Sequence, residues 1–411
     1  MKRSLVDLRW WVVGLLLIAT VLNYVDRQSL SILATTIQRA FGMSDISYGH
    51  VVSVFLFAYS AAYAVTGPFC DKLGVRVSMT VLIVVWSLAE LIPFFAHTTV
   101  MLGFGRLLLG VGEAGVWVVG PKVVSELFAA EDRALAIGIY TAGATLGAMI
   151  APPLIASLTN ALGWRSVFLA TGLAGLCWVA PWLLLYRTSS PPSPCRANAT
   201  KMQSAWRVIL QSRNLWLLLF ARMLTDPVWY FYLFWYPKYL NDHRHLSLGR
   251  VGHTVWIVYF AADLGSVLGG WISGQVIRAG VRTLQARQLV MTAAAVLLPL
   301  SPLVYFLSSF PAGLIVASII AFAHMTWLIT LSAALVDLFP SEQIATAFGF
   351  VAAGSGLGGL LSTEIIAHSV AHAGFMPAFL AMGCLHPLAL FLIWNLRKGG
   401  QGNMNPSTVY A

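Results

Sequence analysis

The chain has 411 residues, of which 58% are hydrophobic and only 10% charged, with a mean hydropathy of +0.78. A soluble domain carries roughly 25% charged residues, so the composition excludes a soluble enzyme or binding domain. It points to an all-α protein that crosses a membrane many times. The formal net charge is +10, and the four cysteines (Cys70, Cys177, Cys195, Cys384) form no C-x-x-C pair, which argues against a metal site or a disulfide framework.

In chain order, apolar runs predict helices near 11–33, 48–68, 77–96, 99–120, 134–158 and 164–186. A second set follows near 214–240, 250–274, 285–308, 311–335, 343–367 and 374–396. The first run is too long for a cleavable signal and lacks an A-x-A end. Between the sets, "YRTSSPPSPCRANATKMQSAWR" is the one long polar connection, and its prolines and serines mark a linker. The expected organisation is a six-helix bundle over 1–186, a cytoplasmic linker over 187–213 and a second six-helix bundle over 214–411. Asn198-Ala-Thr200 has the form of a glycosylation sequon, but a cytoplasmic linker leaves it unused.

The basic residues orient these helices. Lys2, Arg3, Arg9, Lys72, Arg76, Lys122, Arg133, Arg187, Arg196, Lys201, Arg207, Arg213, Arg278, Arg282, Arg287, Arg397 and Lys398 fall on the N-terminus, the even-numbered loops, the linker and the C-terminus. The odd-numbered loops carry only Arg39, Arg165, Lys238, Arg244 and Arg250. That asymmetry places both termini in the cytoplasm. The basic balance is then a topology signal, and no nucleic-acid partner is expected.

The two sets are also related. "GWRSVFLATG" begins at Gly163 and "GFMPAFLAMG" at Gly374, an offset of 211. At that offset Glu131 falls on Glu342, Ala136 on Ala347, Gly138 on Gly349, Gly143 on Gly354 and Gly147 on Gly358. Predicted helices 4–6 therefore recur as helices 10–12. Two six-helix halves joined by a linker imply a pseudo-two-fold axis along the membrane normal, with a substrate site near mid-membrane between them.

The loop "GPFCDKLGVR" (67–76) resembles the G-x-x-x-D-x-x-G-R-R loop of the major facilitator superfamily, and "GRLLLGVGEAG" (105–115) resembles its helix-4 motif. Val75 stands where an Arg is usual, and the second copy, "GGWISGQVIRAGVR" (269–282), has no Asp. Within that superfamily, "NYVDR" (23–27), "TLGAMIAPPL" (145–154) and "DPVWYFYLFWYPKYL" (226–240) look like the anion:cation symporter family, nearest its bacterial hexuronate and galactonate transporters. The resemblance implies uptake of a small organic anion with protons by alternating access. It also implies a monomer in a bacterial inner membrane, surrounded by lipid, with no cofactor or metal. Gly67, Asp71, Gly74 and Arg76 become gating-loop residues.

The charges inside the helices carry the chemistry. Asp26 and Arg27 lie in the first apolar run, although each charge at mid-membrane costs at least a few kcal/mol. At 1.5 Å per residue, Arg27 lies about 9 Å and Arg106 about 10 Å below the same face. Two guanidiniums facing one cavity make an organic-anion site, since each presents a planar fork that matches a carboxylate. The alternative is that each pairs within the protein, Arg27 with Asp26 for instance. Glu113, seven residues after Arg106, is about 10 Å deeper, where lost hydration favours the neutral acid that a proton carrier needs. Asp26, held ionised by Arg27, would be released to take a proton when a bound anion competes for Arg27. The resemblance places proton-coupling acids at both positions.

Other candidates follow by type. Tyr24 and Tyr59 can donate to a polyol or a carboxylate, or can simply pack. His324 occupies the repeat position of Glu113 and could bind substrate or titrate. Asp263 is an intramembrane acid and so a proton-coupling candidate. Arg222 and Asp226 are spaced to pair with each other. Trp229, Tyr230, Phe231 and Trp235 form an aromatic band, in which Trp229 and Tyr230 could meet sugar C–H faces. Glu364, near the outer end of helix 11, is expected to be solvated.

Several classes are disfavoured. No H-E-x-x-H occurs, and "AAGSG" around Ser355 lacks the first glycine of a G-x-S-G motif, so an intramembrane enzyme is not expected. A channel needs no alternating repeat. A membrane sensor of the same fold, an exchanger, and carriers of other carboxylates or organophosphates stay open beside a sugar-acid symporter. The topology is directly testable: a cysteine placed at Ser193 should resist an impermeant reagent added outside intact cells, and labelling from outside would overturn the orientation.

Overall fold

The computed structural model describes residues 2–186, 209–246 and 248–397. The sequon and most of the expected linker (187–208) lie outside the described residues, as does the side chain of Glu364. Twelve helical columns run through the described part. They are α1 Lys2–Ile32, α2 Asp45–Leu73, α3 Val75–Phe95, α4 Thr99–Leu127, α5 Ala130–Leu162 and α6 Arg165–Leu185, then α7 Arg213–Tyr230 with its continuation to Asp242. After these come α8 Leu248–Arg278, α9 Thr283–Ala295 with its continuation to Phe306, α10 Phe310–Leu338, α11 Ile344–Ala373 and α12 Met376–Trp394. A short helix, Ala34–Phe41, follows α1 and ends at Gly42 in the left-handed conformation. Ten of the helices are long and apolar enough to cross a membrane, among the described residues. The other two predicted spans, α7 and α11, are helical over the predicted stretches.

Proline explains where two columns are irregular. Pro299 and Pro302 interrupt α9, which continues as a 3-10 turn (Leu298–Leu300) and a single α turn (Leu303–Phe306). The column of α7 widens into a π segment, Phe231–Trp235, before resuming at Tyr236–Asp242. Pro237 has no N–H to offer the Leu233 carbonyl four residues back. That carbonyl instead accepts from the Tyr259 hydroxyl of α8 at 3.2 Å.

The repeat read from the sequence is a repeat in space. Gly163 and Gly374 close α5 and α11 with φ of 84° and 73°, a region that favours glycine. A Cβ on Gly138 of α5 would strike the Ser266 carbonyl of α8, and one on Gly349 of α11 would strike the Tyr63 carbonyl of α2. So equivalent glycines bring equivalent helices of opposite halves together. Within each half, Gly147 touches Val21 of α1 while Gly358 touches Met223 of α7. Residues of α7 therefore correspond to those of α1 at an offset of 202, since 223 − 21 = 202.

The ion pairs described between the halves gather at one end, the end rich in Lys and Arg. Arg133 at the start of α5 and Arg287 of α9 share Asp337 of α10, at 2.7 and 3.0 Å. Arg278 of α8 pairs with Asp132. Asp71 at the end of α2 binds Lys122 of α4 at 2.6 Å and accepts from the Thr346 amide at 2.9 Å. Thr346 lies in the first turn of α11, where amides have no partner inside the helix and the dipole favours an anion.

This clasp depends on backbone contact that side chains would block. In a background without Cys70, Cys177, Cys195 and Cys384, a cysteine at buried Ala345 should resist maleimide. Adding Gly349→Val should expose it, raising the labelling rate at least tenfold. Unchanged protection would show that the halves do not depend on this contact.

Candidate functional site

The central charge of the first half is Arg27, which bridges α1 to α4. Its Nη2 and Nε donate to Glu113 Oε2 at 2.8 and 3.3 Å. Asn23, one turn earlier on α1, accepts from the same guanidinium at 3.3 Å and donates to the Glu113 carbonyl at 3.4 Å. The guanidinium carbon also lies 4.6 Å from the Tyr59 ring centre, 5.1 Å from Tyr24 and 5.4 Å from Phe55. Aromatic faces attract a cation, more so away from water. The Arg27 side chain is 29% exposed and that of Glu113 is 0% exposed. The cation is thus the accessible member of the pair and the carboxylate stands behind it.

Two expectations need correction here. Asp26 is not the partner of Arg27. Successive residues on an α-helix point about 100° apart, so Asp26 faces the interior of the first half, where it accepts from the Trp86 indole of α3. Arg106 does not share a cavity with Arg27 either. It is 2% exposed, donates to the Asp26 carbonyl at 3.4 Å and lies over the Phe168 ring at 5.8 Å. Depth along the helix puts the two guanidiniums level, but Arg106 is buried within the first half while Arg27 is partly exposed.

The second half has a partly buried guanidinium of its own, Arg222 of α7. It pairs with Asp226 at 3.0 Å, as its spacing predicts, and lies 5.6 Å from the Phe348 ring of α11. It also acts electrostatically on Tyr63 of α2 and on Tyr230. The Tyr63 hydroxyl meets that of Tyr59 at 2.6 Å, so the two tyrosines join the surroundings of Arg27 to those of Arg222. Sequence reading passed over Tyr63, although it lies one helical turn after Tyr59. Tyr230 completes this side, its hydroxyl 3.4 Å from Ser355 of α11.

The repeat gives the second half a counterpart of a different kind. At the offset of 202 Arg27 corresponds to Trp229, and at 211 Glu113 corresponds to His324. Trp229 and His324 stack with ring centres 6.1 Å apart and planes 5° from parallel. An ion pair in one half is thus replaced by a ring stack in the other. His324 Nδ1 is 3.3 Å from His386 Nε2 of α12. His386 was not singled out from sequence, because it comes 62 residues later with no motif linking the two.

The remaining candidates separate. Asp263 lies where α8 meets α5, near Thr145, with no ion-pair partner among the described residues. Gly67 approaches the Ala345 backbone, and Asp71 holds the clasp. Gly74, with φ of 79°, joins α2 to α3. Arg76 stays within its own half, donating to the Leu183 carbonyl at 2.7 Å.

Comparisons with known proteins bear on the family and the fold. The family described as Major Facilitator Superfamily matches residues 16–363. A hexuronate transporter of Escherichia coli K12 is 26% identical over 96% of this chain and 95% of its own length. A galacturonate transporter of Dickeya chrysanthemi is 29% identical over 71% of this chain and 89% of its own. Among solved structures, that of the E. coli fucose:proton symporter superposes with a TM-score of 0.73, covering 94% of this chain and 98% of that one, at 16% identity; this likeness concerns the fold.

Proposed function

Since the chain belongs to the Major Facilitator Superfamily, and is a multi-pass membrane transporter rather than an enzyme, we propose that it takes up a sugar acid, a hexuronate or an aldonate, by proton symport through alternating access. The membrane is a bacterial inner membrane, with the clasped basic end and both termini in the cytoplasm. Relatives named for hexuronate and galacturonate support the substrate class. The observation that carries the mechanism is the Arg27–Glu113 pair, in which the accessible guanidinium already holds an internal carboxylate.

A substrate carboxylate reaching Arg27 competes with Glu113 for one cation. If Glu113 stayed ionised after losing its partner, an unpaired carboxylate would be buried in the membrane, at a cost of several kcal/mol. Glu113 therefore takes one proton as the substrate takes its place. The unit keeps the same net charge, with the substrate anion balanced on Arg27 and Glu113 neutral. Tyr24, Tyr59, Tyr63 and Tyr230 offer hydroxyls to the polyol, with Trp229 and His324 on the far side. When the clasp at Asp71, Lys122 and Thr346 opens, the substrate leaves, Glu113 gives up its proton and the pair reforms. Neutral when loaded and neutral when empty, the site crosses the membrane in both states.

Two experiments test this reading. Arg27→Lys keeps the charge but loses the fork, so galacturonate or galactonate affinity should fall at least tenfold, about 1.4 kcal/mol. Arg106→Lys, outside the pocket, should stay within about threefold; equal losses in both would sink the assignment. Glu113→Gln should keep substrate counterflow in liposomes and lose accumulation driven by an inward proton gradient, because a permanently neutral side chain cannot release its proton. A wild-type protein that ignores the gradient and needs a counter-substrate would be an exchanger.

A further inference from the structure

Behind the Arg27–Glu113 pair, the first half holds a second set of buried charges that does not balance. Asp26 of α1, Glu90 of α3 and Arg106 of α4 are 0%, 1% and 2% exposed. Glu90 lies one turn after Trp86, the residue that donates to Asp26, and so shares its face of α3. The charged groups acting on Glu90 are Asp26 from α1 and Arg106 and Glu113 from α4. α6, which packs against α3 through Gly172 and Gly175, adds no charge here; its Thr171 hydroxyl is buried without a hydrogen-bond partner among the described residues.

Counting Arg27, three carboxyls share two guanidiniums. A buried carboxylate without a counter-charge is strongly disfavoured, so one of the three holds a proton while the site is empty. Glu113 is held by Arg27, and Asp26 accepts from Trp86. Neither oxygen of Glu90 has a hydrogen-bond partner among the described residues, and Nε and Nη2 of Arg106 have none either. Glu90 is the acid to which no donor is hydrogen-bonded, and Arg106 has donors free to receive it.

Access points the same way. Glu113 is fully buried behind Arg27, and a substrate on Arg27 would cover it from the space between the halves. The proton for Glu113 then comes from behind.

We propose that Glu90 is the proton-relay residue of this transporter, holding a proton while the site is empty and passing it to Glu113 when substrate takes Arg27. The inference rests on the proton-symport reading above. In the transfer the O–H bond of Glu90 breaks and one forms on Glu113. The Glu90 carboxylate turns to the free nitrogens of Arg106, then regains a proton from water. Release runs the sequence in reverse.

The test compares Glu90→Gln and Glu90→Asp with wild type in proteoliposomes, with galactonate or galacturonate as substrate. Proton-driven accumulation by wild type comes first; its absence removes the symport reading and this proposal together. Given it, Glu90→Gln should slow proton-driven uptake at least tenfold and leave counterflow within about twofold, while Glu90→Asp, which can still titrate, restores most of the proton-driven rate. Proton-driven uptake by Glu90→Gln at the wild-type rate would overturn the relay, since Glu90 would then be a permanently neutral packing residue. Equal loss of counterflow and proton-driven uptake would assign it a structural role and overturn the relay as well.

Discussion

The ion pair between Arg27 and Glu113 sets the terms for everything around it. A guanidinium within the membrane must keep a partner. Here the partner is a carboxylate 86 residues away on another helix, steadied by Asn23 and by three aromatic faces. The pair ties α1 to α4 and leaves the cation as its exposed member. The second half has the same backbone arrangement with different chemistry, and at the equivalent positions Trp229 stacks on His324. One half is thus suited to a carboxylate and the other to a ring or a polyol. A sugar acid has both kinds of surface.

At the basic end, three contacts that differ in kind hold the halves together. Asp337 is shared by two arginines, Asp71 reaches the amide end of α11, and backbone meets backbone where α5 crosses α8 and α11 crosses α2. The superfamily loop is asymmetric for a visible reason. Asp71 of α2 addresses α11, whereas on the α8 side Gly274 comes up against the Glu131 backbone. The place that an acid fills in the first half is closed by main-chain contact in the second.

How much of this could be read from the sequence depends on the kind of information needed. Twelve apolar runs, the 211-residue offset and the basic asymmetry are one-dimensional patterns, and the helices fall where those patterns lie. Depth along a helix follows from the rise per residue, which is why Arg27 and Arg106 were placed level. The direction a side chain faces relative to other helices is not local, so the sequence puts Arg106 in one cavity with Arg27 and pairs Asp26 with Arg27, whereas the fold buries both Arg106 and Asp26 inside the first half. Tyr63 and His386 carry no motif. Glu90, lying in "SLAELIPFF" (87–95), was visible as a charge inside an apolar helix, but its neighbours come from helices 1 and 4 and appear only once those pack.

The widened turn in α7 has a consequence of its own. A π turn contains one more residue than an α turn, and one residue is worth about 100° of azimuth. Below Phe231, α7 presents Trp229 and Tyr230 to the centre of the protein; above it, Tyr236 and Tyr239 pack among Tyr305, Phe375 and Phe379. The Leu233 carbonyl accepts from the Tyr259 hydroxyl of α8, so the widened turn is tied to a neighbouring helix at the point where the azimuth of α7 changes.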